Sequence, residues 1–153
     1  MCINKRNSGF TFIEVMATVA IISVLAAGIL PLSQVMYKRT KELELTNRLR
    51  VIRTALDKFE ELVDQGVAPQ NTNSGYPESL EVLVNGIDLK EAVAEKKKFL
   101  RRIPKDPMTE NGEWGLRSYA DSPDSTIWGG QDVYDVYSLS DSQAIDGTYY
   151  KEW

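Results

Sequence analysis

One carboxylate stands alone in the first part of the chain: Glu14 is the single charged residue among the twenty-three from Phe10 to Leu32. A carboxylate within a membrane helix costs on the order of 3 kcal/mol at the helix centre and less near an end. A group that would neutralise it is close in sequence. Four residues earlier lies the Gly9–Phe10 bond, and cutting there would create an α-ammonium on Phe10. In a bundle of like helices, the ammonium of one copy could meet Glu14 of the next. Leaving either charge unpaired in apolar surroundings is costly, so such a pair would recruit subunits and set their axial register. The plainer alternative is a carboxylate that snorkels to the lipid headgroups.

The rest of the chain offers little to catalysis. There is no histidine, which removes the commonest general base and metal ligand. The one cysteine, Cys2, precedes Gly9, so cleavage would leave no disulfide, thiol nucleophile or thiolate zinc site. Gly129-Gly130 reads as a turn, and no Gly-x-Ser-x-Gly or phosphate loop occurs. Asp121 and Asp124 could in principle share acid–base work, but nothing marks a pocket around them. We assign no catalytic residue and expect no enzyme.

The elements that must position Glu14 are legible. A helix over Phe10–Leu32 would span roughly 35 Å, enough to cross a bilayer's hydrocarbon core with some tilt. Lys5 and Arg6 in the preceding leader, Met1–Gly9, would keep that leader in the cytoplasm and send the rest of the chain outward. The small residue at the cut, Gly9, stands before the apolar run, whereas a secretory signal places its site after it. Beyond Pro31, Leu45, Leu49, Ile52, Leu56, Phe59 and Val63 recur at intervals of 4, 3, 4, 3 and 4. That is one stripe of an amphipathic helix. We expect a single helix from about Phe10 to Gln65, ended by Gly66. The divisions are a leader at 1–9, a transmembrane or filament-core helix at 10–36, its amphipathic continuation at 37–66, and a globular head at 67–153.

Within the head, Pro77 suits the first turn of a short helix to about Val84, stopped by Asn85-Gly86. Asp88 with Glu91 three residues on predicts a second helix to about Leu100, with Lys96, Lys97, Lys98, Arg101 and Arg102 crowding its end. Those cations would complement that helix end, or face anionic headgroups or an acidic patch on a neighbouring subunit. Pro104 and Pro107 make the following segment a rigid crossing. Trp114–Tyr119 and Asp132–Leu139 read as strands. Between them Ala120–Gly130 is turn-rich, with Trp128 expected to tuck inward. The fold class is α+β: a long N-terminal helix against short helices and an antiparallel sheet of about three strands.

Net charge is −4, and losing Lys5 and Arg6 with the leader takes it to −6. From Asp106 to Trp153 ten acidic residues face only Arg117 and Lys151, a net of −8. Such a segment argues against nucleic acid and for cations or a basic protein surface.

Met1–Gly9 followed by Gly9-Phe10-Thr11-Phe12-Ile13-Glu14-Val15 and a long apolar run resembles the class III signal of type IV pilins and type II secretion pseudopilins. The resemblance implies cleavage after Gly9 by a prepilin peptidase, N-methylation of Phe10, and Glu14 as the assembly carboxylate. Pro31 falls where many such proteins carry a helix-kinking proline. Tyr76-Pro77, then Leu100 with Ile103–Pro107, then Tyr134–Leu139, look like the head of the major (G type) pseudopilin. That likeness implies a subunit of the secretion pseudopilus, a helical homo-oligomer. It would sit in the inner membrane, N-terminus cytoplasmic and head periplasmic, until polymerised by a cytoplasmic ATPase acting through a membrane platform with minor pseudopilins. It also implies a structural calcium held by Leu139, Asp141 and Asp146, although Ser142-Gln143-Ala144-Ile145 and the closing Tyr149, Tyr150 and Trp153 depart from the family's pattern. Two alternatives stay open: a type IV pilus subunit, and an exported soluble calcium-binding protein whose signal runs from Met1 to about Ala27.

Overall fold

The computed structural model describes residues 9–89 and 96–153. The chain divides into two compact units, Met1–Lys38 and Arg39–Trp153. One helix, α1 (Phe12–Asp64), contributes to both and stays helical through Pro31.

In the second unit α1 supplies the spine of the core. Leu45, Leu49, Ile52, Leu56, Phe59 and Val63 are all buried, as their 4-3-4-3-4 spacing requires, and Ala55 joins them. Against this stripe pack Leu80, Leu83, Ile87, Leu100, Trp114, Val133, Val136, Ala144 and Tyr150. Helix α1 ends in a double C-terminal turn: Gly66, at φ +73°, donates its N–H to Val63, and Val67 donates to Leu62. This reciprocal closure needs the left-handed residue that glycine supplies without a Cβ penalty.

In the head, helix α2 (Leu80–Asn85) starts three residues later than Pro77 suggested. Pro77 is fully buried instead, and its carbonyl accepts the N–H of Val133 at 2.8 Å. The proline thus ties the loop after α1 to the chain entering the second sheet.

Where the sequence predicts a helix from Asp88 to Leu100, the described residues at both ends of that span are not helical. Ile87–Asp88 (β1) pairs antiparallel with Lys96–Lys97 (β2), in the register Ile87↔Lys97 and Asp88↔Lys96. The turn of that expected helix that includes Glu91 lies outside the described residues. Gly86, at φ +80°, redirects the chain just before β1, and Ile87 is buried in the core. Phe99 and Leu100 then both donate to the Leu83 carbonyl at the end of α2. Lys96 and Lys97 therefore lie on a strand, and Lys98, Arg101 and Arg102 follow it in non-helical backbone.

Trp114–Arg117 (β3) pairs antiparallel with Asp135–Ser138 (β4), from Trp114↔Ser138 to Arg117↔Asp135. Instead of one three-stranded sheet, the head has two two-stranded ones among the described residues, plus a single bridge between Gln143 and Tyr149. A 3-10 turn, Tyr150–Glu152, closes the chain against β4. Gly115 lies so close to the ring of Tyr137 that a Cβ would come within 2.2 Å of it. Arg117 covers the same ring, its guanidinium 4.1 Å from the centroid.

Candidate assembly site on the N-terminal helix

From Phe12 onward the first half of α1 carries apolar side chains that are exposed among the described residues. Phe10 and Phe12 are 82% and 81% exposed, and Val15, Met16, Val19, Ile21, Ile22, Val24, Leu25, Ile29 and Leu32 are all exposed. Among the described residues this is the one helix long and apolar enough to cross a membrane. Its polar side chains are already occupied: the Thr18 hydroxyl donates to the Val15 carbonyl and that of Ser23 to Val19, both at 2.8 Å. Back-bonding of this kind satisfies hydroxyls where water is absent.

Glu14 sits at the third helical position, exposed. Its amide N–H donates to the Thr11 hydroxyl at 3.4 Å, and the Thr11 amide donates to the Glu14 carboxylate at 3.5 Å. Thr11-x-x-Glu14 is thus a capping box that satisfies two of the donors every helix start leaves open. The signal for it was in the sequence, a threonine with a glutamate three residues on. Gly9 and Phe10 lie just ahead in non-helical backbone, with open space around Gly9. That arrangement presents the Gly9–Phe10 bond outside the helix and keeps Glu14 one helical turn away from it.

The tail residues are placed differently. Leu139 is half exposed, Asp141 pairs with Lys151 at 3.0 Å, and Asp146 accepts both the amide (3.0 Å) and the hydroxyl (2.7 Å) of Thr148. Those Thr148 bonds hold the Asp146 carboxyl below its ordinary range, and Asp141 raises Lys151 above its own. Among the described residues no three His, Cys, Asp or Glu side chains come together as a metal would require. As the loop stands, Leu139, Asp141 and Asp146 do not fit calcium, which takes six to eight oxygen ligands.

Composition alone does not show how the head's acidic residues are used. Asp132 is buried, accepting from the Tyr119 amide and the Ser74 hydroxyl at 2.8 and 2.7 Å. Asp106, also buried, accepts from the Met108 amide and, at 2.6 Å, from the Ser138 hydroxyl, tying the proline-rich crossing to β4. Asp121 takes the amides of Ser118 and Gly129, which hold its carboxyl below the usual range. It is thus committed to backbone amides and is not half of an acid–base pair with Asp124. Trp128 is 39% exposed rather than tucked in, and its indole N–H donates to the Asp132 carbonyl at 2.7 Å. Arg53 reaches from α1 to both oxygens of Asp135 and to the carbonyls of Val136 and Trp153.

Comparison with known proteins bears on the N-terminus. Residues 4–30 match the prokaryotic N-terminal methylation motif. Over 82 residues the chain is 37% identical to the type IV major pilin protein PilA of Myxococcus xanthus (strain DK1622), covering 48% of this chain and 37% of that protein. The chain thus spans well under half the length of that relative. No solved structure matches. The chain carries a type IV pilin-like, class III N-terminal signal on the long helix of an α+β helix-and-head fold.

Proposed function

We propose that this chain is the structural subunit of a helical filament assembled from the inner membrane. In this reading a prepilin peptidase cuts after Gly9, Phe10 becomes the N-methylated first residue, and α1 is first the membrane anchor and then the filament core. One observation carries the reading: the matched methylation motif coincides with the apolar first half of α1, whose described side chains are exposed. An uncovered apolar surface of this extent calls for lipid, for other copies, or for each in turn.

Glu14 sets the register. Its capping role holds the carboxylate at the helix start, and its remaining lone pairs can accept the Phe10 ammonium of a neighbour. The acidic segment 106–153, of net charge −8, faces the periplasm with the rest of the head and needs no nucleic acid partner.

Two filaments fit this subunit. Tyr76-Pro77, Ile103–Pro107, Tyr134–Leu139 and the cysteine-free head support the type II secretion pseudopilus, which would drive protein export with a membrane platform and minor pseudopilins. The 37% identity to a type IV major pilin supports a pilus. Shearing whole cells separates them: a pilus subunit is released with surface fibres, whereas a pseudopilus subunit stays with the envelope.

The intact mass of the protein extracted from its native membrane tests the processing step. A mass of Phe10–Trp153 plus one methyl group is expected. A mass beginning near Gly28 would make the chain a soluble exported protein and overturn the reading.

A further inference from the structure

The proline-rich crossing and the C-terminal tail lie against different flanks of α1 and carry opposite charge. On one flank a groove of about 520 Å³ runs between α1 and the proline-rich crossing, lined by Arg48, Val51, Arg101, Arg102 and Lys105. Arg48 is engaged, donating to the Lys105 carbonyl and pairing with Glu44. Arg101, Arg102 and Lys105 are exposed and form no ion pair among the described residues. Val51, 40% exposed, gives the groove an apolar floor.

The tail packs on the other flank, where Arg53 donates to the Trp153 carbonyl and Trp153 lines a hollow with Thr46, Arg50, Arg53 and Asp57. A helix turns about 100° per residue. With Leu49 facing the core, this puts Arg48 and Val51 about 100° and 160° to one side, and Arg53, Thr46 and Asp57 about 40° to 80° to the other. Asp141, Asp146 and Glu152 are exposed on the tail, against Lys151 alone.

We propose that the Arg101, Arg102 and Lys105 crossing of one copy docks on the Asp141–Glu152 tail of a second copy. Each copy offers both surfaces on opposite flanks, so a contact between two copies leaves one of each unfilled. That is a heterologous interface, which propagates as an open chain instead of closing into a dimer. Val51 gives the contact an apolar centre, and the rim charges give it orientation and salt dependence. Asp146 takes both its bonds from Thr148 on one oxygen and Glu152 takes one from the Tyr149 amide, so each carboxylate keeps an oxygen for an arriving guanidinium. The proposal rests on the filament reading and adds to it a contact between heads that does not involve Glu14.

The test uses the full-length chain in its native membrane, with Cys2→Ser, Arg102→Cys and Asp146→Cys in the same chain. A short bismaleimide is expected to give a ladder of linked copies, while chains with Arg102→Cys or Asp146→Cys alone give none. Arg101→Glu with Arg102→Glu is expected to cut filament yield several-fold without moving the melting temperature, and Asp141→Lys with Asp146→Lys in the same chain to restore it. Normal filaments with no ladder would overturn the head contact while leaving the filament reading intact. A chain that is neither processed nor polymerised even without these substitutions would instead remove the filament reading. If the glutamate pair leaves filaments intact but abolishes flotation with phosphatidylglycerol vesicles, the basic flank faces lipid and the proposal is wrong.

Discussion

Thr11 and Glu14 hold each other across the first turn of α1, amide to hydroxyl at 3.4 Å and amide to carboxylate at 3.5 Å. Both lie beyond the Gly9–Phe10 bond, so the pair persists after a cut there. Within its own chain Glu14 closes the capping box with Thr11. In the proposed filament reading it would have a second, separable duty, because a lone carboxylate in apolar surroundings would be driven towards a cationic partner on another chain.

At Gly115 even one methyl group meets the ring of Tyr137, which is held by Arg117 on its face and by a hydrogen bond from its hydroxyl to the Thr126 carbonyl at 3.2 Å. Gly115→Ala must push that ring out of place. Overpacking of this kind costs about 1–3 kcal/mol, and urea unfolding of the detergent-solubilised protein should show it as a lower midpoint. Gly130→Ala, in open space but at φ +73°, separates backbone strain from the clash and should cost less.

Arg53 joins α1 to β4 and to the chain's last residue through four hydrogen bonds. Arg53→Met keeps the aliphatic stem but leaves Asp135 to Arg117 alone, at 3.6 Å. Hydrogen bonds to charged groups contribute about 1.5–3 kcal/mol, and a loss in that range is expected. Limited proteolysis should cut the tail after Ser140 faster in this variant, while the α1 stripe stays protected.

Alkaline pH should loosen the head. Burial, and then the Glu42 carboxylate that accepts its hydroxyl at 3.0 Å, push Tyr150 up to about 12. Burial with Glu60 and Asp57 does the same for Tyr76, also to about 12. A raised folded value means the neutral phenol is favoured by folding. Its contribution is complete below the unfolded value of about 10 and is lost as pH rises towards 12. Melting temperature should hold steady through neutral pH and fall between pH 10 and 12. Tyr150→Phe should make that fall shallower; an equally steep fall would mean Tyr150 is not involved.

Much of the head was readable because its core is periodic. The six-residue stripe from Leu45 to Val63 set the face of α1, and Val136 and Tyr137 marked β4. What misled was local chemistry overridden by packing. The sequence predicts Lys96 and Lys97 in a helix that begins at Asp88, but they pair with Asp88 and Ile87 as a strand, with Ile87 buried in the core. Pro77 signals a first helical turn but is used as a buried acceptor. Asp106 and Asp132 looked like surface charge and are internal braces, because spacing does not reveal which backbone amides will face a carboxylate. At the N-terminus Glu14 also forms the common Thr-x-x-Glu cap, whose spacing is plain in the sequence.

The tail loop makes its own bonds, Asp141 to Lys151 and Asp146 to Thr148. Calcium, which the pseudopilin likeness implies there, would have to displace Lys151 and recruit most of its shell from elsewhere. We expect the same melting temperature in millimolar calcium and in chelator. A clear rise with calcium would restore Leu139, Asp141 and Asp146 as a site.

The most direct test compares Glu14→Gln with Glu14→Ala in the native membrane, scoring cleavage, N-methylation and filament yield together. Gln can close the capping box with Thr11 but carries no charge. If the charge pairs with a neighbour's Phe10 ammonium, both variants are cut after Gly9 and both lose filaments. If Glu14→Gln assembles at the normal yield and only Glu14→Ala fails, capping is the whole role of Glu14, and the intersubunit pair is refuted.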